Sequence, residues 1–218
     1  MMNVIREISS GAIGGLSVTD STEGLVAISE QGCAALIWHR TPIAGFQTWI
    51  DRLPPGDLPK LRIVLRPRNV RQTVLGICDQ CGTPQTPERD WMINDIADLA
   101  ERFAELMQAP YLRLRLDVID SNACRRFHVD AITARLICTY RGTGTQYGVS
   151  SGDADPERIF TVPTGMPILL RGSDWPEHPR SGLVHRSPPI EGSGETRLLL
   201  VLDAIADLDD AEASALLH

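Results

Sequence analysis

The spacing of apolar residues changes at Pro110. Before it, Ile96, Leu99, Ala100, Phe103, Ala104 and Met107 recur at helical intervals and predict a helix over 94–108. Asp90 or Asn94 can cap its start, and Pro110 lies just past its end. Elsewhere in this half, 34–38 and 61–65 read as strands, and 43–53 and 70–78 as helices. Pro54, Pro55, Gly56 and Pro59 form a turn-rich break between them.

After Pro110 the period becomes two. Leu112, Leu114, Leu116 and Val118 alternate with Arg113, Arg115 and Asp117, as in a half-buried strand. The stretch 127–140 reads as one long strand or two, and 158–162, 166–170, 183–185 and 198–202 as shorter ones. Glycines from Gly142 to Gly194 punctuate the series. Short strands separated by glycine turns suggest a sandwich or jelly-roll barrel. The expected fold is therefore α+β: a jelly-roll core over 111–218, with a mixed α/β part over 1–110 packing its helices on the barrel in one continuous domain. A short helix is expected at 211–217.

Composition narrows the function classes. The chain has 218 residues, a net charge of −7 and 43% apolar residues, enough for a full core and a poor match to a nucleic-acid binder. No apolar run approaches the ~20 residues of a membrane helix. Residues 1–10 carry no signal-peptide pattern, and five cysteines are read as reduced thiols. A cytoplasmic protein without membrane or nucleic-acid partners is expected. Its substrate, small molecule or protein, is unspecified, and a homodimer is left open.

The chemistry lies in the second half. His128 and Asp130 are two apart, so on a strand both project to one face. His185 sits in the apolar segment 183–185. Two imidazoles and a carboxylate are the ligand set of a facial triad, which leaves one side of the metal open. Arg197, twelve residues on, starts the last strand. A hairpin through 187–196 would lay it beside His185, where its guanidinium can grip a carboxylate. Other motifs read as background. Cys78 and Cys81 form a lone Cys-x-x-Cys without a convincing second pair. Cys124 reads as a turn cysteine, His39 and His178 as surface or loop residues, and Gly142-Thr143-Gly144-Thr145 as a β-turn that lacks a P-loop lysine.

The order His128-x-Asp130, His185, Arg197 resembles the double-stranded β-helix of Fe(II)/2-oxoglutarate-dependent dioxygenases over residues 111–203. The resemblance implies metal ligation by His128, Asp130 and His185, 2-oxoglutarate bound through Arg197, and oxidoreductase activity. Tyr140, Thr139 and Arg135, which follow the His-x-Asp, are candidates either to support the metal ligands or to bind the co-substrate, and Trp175 is a candidate wall of the entrance. Longer strings, Phe127-His128-Val129-Asp130, the stretch from Arg135 to Thr145, His185-Arg186-Ser187-Pro188-Pro189, and the stretch from Arg197 to Asp203, are similar to a bacterial family of unknown function often encoded near zinc-homeostasis genes and metal-chaperone GTPases. That likeness implies an alternative: a non-catalytic zinc-binding protein using the same ligands.

Overall fold

The structure is a computed structural model that describes residues 13–152, 154–176 and 182–207. His178 and the helix expected at 211–217 lie outside the described residues, as do residues 1–10. The strands are β1 (Leu16–Thr19), β2 (Ala35–Trp38), β3 (Leu61–Leu65), β4 (Tyr111–Ile119), β5 (Ala134–Arg141), β6 (Gln146–Val149), β7 (Phe160–Thr161), β8 (Pro167–Arg171), β9 (Leu183–Arg186) and β10 (Arg197–Ile205). The helices are α1 (Phe46–Arg52), α2 (Val70–Gln80) and α3 (Pro87–Met107). The fold is mixed α/β. A seven-stranded sheet, ordered β1-β2-β8-β5-β10-β4-β3, accompanies a three-stranded sheet, β7-β6-β9. Among the described residues only the β1–β2 pair is parallel.

The large sheet separates two kinds of surface because its strands alternate. Leu112, Leu114 and Leu116 of β4, Leu198, Leu200 and Leu202 of β10, and Leu136, Cys138 and Tyr140 of β5 join the helix-side core with Ile96, Leu99 and Phe103 of α3. Leu199, Val201 and Ile137 belong to the other face, in a core shared with Tyr147 and Leu183 of the small sheet. Strand β10 is buried on both faces, as expected of a central strand with a continuous apolar run.

Three sequence expectations are corrected or narrowed. Helix α3 begins two turns earlier than residue 94. Thr86, not Asp90 or Asn94, is its cap, the hydroxyl accepting a bond from the Arg89 amide at 3.3 Å, with Pro87 in the first turn. The apolar spacing broke there because buried Arg89 takes a core position, neutralised by Asp79. Of the two alternatives for 127–140, the single strand is excluded and the stretch divides in two. Only Ala134–Arg141 pairs in the large sheet, whereas His128 forms an isolated antiparallel bridge with His185, so the chain changes sheets between them. Finally, β9 and β10 make no hairpin: β9 pairs with β6, β10 lies between β4 and β5, and 187–196 is a crossover. Strand β6, which the glycine-rich sequence concealed, is the partner of β9.

The crossover at 129–133 is clamped by main-chain bonds. The Gly172 amide donates to Thr133 O at 2.8 Å and the Ser173 amide to Asp130 O at 2.8 Å. A Cβ on Gly172 would lie 1.8 Å from Ile132 O, so this approach requires glycine. No helix among the described residues is long and apolar enough to cross a membrane.

Candidate metal centre

His128 and His185 are brought together by their own backbones. Each amide donates to the other's carbonyl at 3.0 Å, and the two rings lie 4.5 Å apart. The clamped bend beside them aims Asp130 between the imidazoles, with Oδ2 at 3.2 Å from His185 Nε2 and Oδ1 at 3.5 Å from His128 Nε2. One ligand atom from each residue lies within 4.8 Å of the others, and this trio is the one such cluster of His, Cys, Asp and Glu side chains among the described residues.

The protonation pattern suits ligation. His128 Nδ1 lies 2.9 Å from Arg126 O, which fixes the proton on Nδ1 and leaves the Nε2 lone pair facing Asp130. Burial pushes the His185 imidazole down, keeping it neutral, whereas the Asp130 carboxylate pulls the half-exposed His128 up. Burial opposes ionisation of Asp130, but the two imidazoles and Arg135 outweigh it and hold the carboxyl well below its usual range. Asp130 Oδ2 is buried without a hydrogen-bond donor. A buried carboxylate oxygen lacking a donor and faced by imidazole nitrogens is the demand a cation would meet, so these donors fit a divalent transition metal.

Behind the trio lies an ionic lattice. Arg135 Nη1 donates to Asp130 Oδ1 at 2.5 Å, while its Nε and Nη2 bond Asp203 at 2.6 and 3.0 Å. Burial works against the Arg135 charge, and the two carboxylates more than compensate. Arg135 is thus engaged in holding Asp130: of its two expected roles it takes the supporting one, and it is not free to bind a co-substrate. Arg135→Ala is expected to weaken metal binding about 10–100-fold, the usual effect of losing a ligand's supporting partner, and to lower the melting temperature, because Asp203 is 2% exposed and a lone buried charge is costly. The double variant Arg135→Ala/Asp203→Ala should recover stability but not metal affinity, as read by thermal melts and metal titration.

The cavity between the sheets has a volume of about 200 Å³ and is lined by His128, His185, Arg135, Arg115, Leu199 and Val201, among others. Arg197 follows the same alternation along β10 as Leu199 and Val201, and it is fully buried. Its Nε donates to Thr143 O at 2.6 Å and Nη2 to the Thr139 hydroxyl at 3.5 Å, while Nη1 has no partner. Burial depresses its pKa to about 10, so it remains a cation at neutral pH.

Tyr140 is corrected outright. It lies on the helix side of β5, where its hydroxyl donates to Asp95 at 2.6 Å, and it does not reach the cavity. Trp175 packs against the same helix-side core under Arg171 and walls no entrance. Cys78 is buried and its thiol is pushed up to about 11 by burial, while Cys81 bonds locally to Thr83. Cys124 is exposed at the rim, 3.7 Å from His128 Nδ1, on the side of the ring away from Asp130. His39 is half-buried and outside the cluster. The sequence reading missed Arg115, Asp203 and Tyr147. Tyr147 is registered opposite His185, and its buried hydroxyl has no partner.

Comparison with known proteins gives two results. A family described as "Protein of unknown function (DUF1826)" matches residues 19–203. Among solved structures, the chain is similar to dioxygenase for auxin oxidation 1 from Arabidopsis thaliana, in complex with 2-oxoglutarate (TM-score 0.51, 12% identity, 90% of this chain and 94% of that one). It is likewise similar to the dioxygenase for auxin oxidation in rice (TM-score 0.50, 13% identity, 89% and 84%). At such identities the likeness is one of fold. No curated protein matches the chain.

Proposed function

We propose that this chain, which belongs to the family described as protein of unknown function DUF1826, is a non-haem Fe(II)/2-oxoglutarate-dependent oxygenase built on a double-stranded β-helix. The carrying observation is that the His128–Asp130–His185 cluster borders the inter-sheet cavity, while Arg197, whose Nη1 has no partner, lies on the same face of β10 as the cavity-lining Leu199 and Val201. Strand order supports the fold assignment. From β4 onward the chain alternates between sheets: β4 in the large, His128 in the small, β5 in the large, β6 and β7 in the small, β8 in the large, β9 in the small and β10 in the large. We read the chain as one continuous unit, since β1, β2 and β3 extend the large sheet on either side of the barrel strands.

In this reading His128, Asp130 and His185 hold iron, which supplies oxidative chemistry coupled to 2-oxoglutarate decarboxylation. Arg135 keeps Asp130 ionised and aimed. Arg197 takes the far carboxylate of 2-oxoglutarate, with the Thr139 hydroxyl beside it. Leu199, Val201 and Ile137 exclude water from the path between. A zinc protein would have no use for a buried guanidinium with an unpartnered nitrogen on the cavity side of β10, and that favours the oxygenase. The test is turnover: protein reconstituted with Fe(II) without oxygen, then exposed to oxygen and 2-oxoglutarate, should form succinate and consume oxygen in proportion. Metal binding with no succinate above a metal-free control would overturn the reading.

A further inference from the structure

A second guanidinium in the cavity has no assigned use. Arg115 lies on the inner face of β4 and lines the cavity together with His128 and His185. Its Nε is buried without a hydrogen-bond partner. Its one ionic contact is long, Nη2 to Asp203 Oδ2 at 3.8 Å, and Asp203 is already bonded twice by Arg135. The other cavity-lining arginines are occupied: Arg135 bonds Asp130 and Asp203, and Arg186 bonds Gln146 and the Arg125 carbonyl and stacks on Phe127. Asp117 lies on the same face of β4 as Arg115 and makes no ion pair with it at contact distance.

Arg115 and Arg197 leave the sheet at well-separated positions. Across the β4–β10 ladder Arg115 is registered with Val201, four residues along the strand from Arg197, which sets the two positions ~13 Å apart along the sheet. The space is also small. About 200 Å³ falls below the ~300–1,000 Å³ of pockets that hold drug-sized ligands. With 2-oxoglutarate in place, only a compact second molecule fits beside the imidazoles.

We propose that Arg115 anchors a second anion subsite, which takes the carboxylate of a small organic acid as the substrate to be oxidised. The subsite deepens the oxygenase reading by naming the class of its substrate, and it rests on that reading. A carboxylate there would satisfy the orphaned Nε and the remaining guanidinium donors together, and would orient the rest of the molecule along the cavity toward His128 and His185.

The full chain loaded with Mn(II), a redox-silent stand-in for iron, is titrated by calorimetry, first with 2-oxoglutarate and then with benzoate, acetate, benzamide and acetamide. In the complex with 2-oxoglutarate, at least one of the two acids should bind at least tenfold more tightly than its amide. Arg115→Met should lose that preference at least tenfold and leave 2-oxoglutarate affinity within twofold. Arg115→Lys should keep part of it, and Arg197→Met should show the converse pattern. Thermal melts of the variants confirm that they are folded. If 2-oxoglutarate binds but neither acid is preferred over its amide, or if Arg115→Met leaves the preference intact, the subsite is overturned and the oxygenase reading stands. If an acid binds through Arg115 while 2-oxoglutarate does not bind, the oxygenase reading falls, and with it the acid's role as oxidised substrate, while Arg115 stands as an anion site. Binding of neither overturns both.

Discussion

His128→Ala is expected to abolish succinate formation, lowering it at least ~100-fold, and to reduce bound iron from one equivalent to less than a tenth, while leaving the metal-free protein folded. The argument turns on which part of His128 supports the fold. Its main chain makes the bridge to His185, with both bonds at 3.0 Å, and an alanine keeps them. Its side chain is 31% exposed and its ring contacts serve mainly the cluster, so its removal opens no sealed core cavity. What is lost is one of three ligands, and losing a mere supporting partner of a ligand already costs 10–100-fold in affinity. Metal content by elemental analysis, succinate by chromatography and the metal-free melting temperature separate the cases. Full iron content and near-normal turnover in a folded His128→Ala protein would remove the triad from the mechanism. His185→Ala should have the same effect on metal but a larger one on stability, because that side chain is 7% exposed and truncating a packed side chain leaves a void.

The sequence showed this site more clearly than the architecture that makes it. His128 and Asp130 were paired by assuming one strand, on which residues two apart share a face. In the structure only His128 is in a bridge, and Asp130 converges with it through the bend clamped by Gly172 and Ser173. The pair was found because its spacing is short, whichever backbone carries it. Tyr140 differs from expectation although its signal is local. Counting β5 in twos from Arg135 puts Ile137 and Thr139 on the cavity side and Tyr140 with Leu136 and Cys138 on the helix side. Arg115 and Asp203 were out of reach for another reason. Their relation exists only through the pairing of β4 with β10, a contact between segments nearly ninety residues apart, and single-sequence periodicity says nothing about which strands are neighbours. The start of α3 was legible in Thr86-Pro87, a cap followed by a first-turn proline, but buried Arg89 masked the apolar repeat.

Arg197→Met is expected to raise the dissociation constant for 2-oxoglutarate at least ~100-fold without destabilising the protein that lacks it. Two forces act on the folded chain. Burial depresses the Arg197 pKa from the usual guanidinium range to about 10. The unfolded chain therefore holds the proton more tightly, and at neutral pH the charge opposes folding by on the order of 3 kcal/mol. That penalty is relieved only as the pH rises above about 10, where the folded chain releases the proton first. Against it stand the bond to Thr143 O and the longer contact with Thr139, together worth ~2 kcal/mol. Glu195, the nearest acidic group, is already bonded to the Thr143 amide and hydroxyl at 2.6 and 2.9 Å, so methionine strands no carboxylate. The two forces nearly cancel, and a methionine of similar length refills the space beside Gly142, so stability should change little. Ligand binding has no such compensation. The charge is kept in the core with one nitrogen unpaired, and in the proposed reading a co-substrate carboxylate would complete it. Arg197→Lys, which keeps the charge but loses the two-pronged donor, should fall between the two at ~10-fold. Calorimetric titration of 2-oxoglutarate into the metal-loaded proteins reads the affinity, and melting without ligand reads the stability. Unchanged affinity in Arg197→Met, or a large loss of stability with affinity intact, would make Arg197 a strut of the fold and leave the oxygenase reading without its co-substrate anchor.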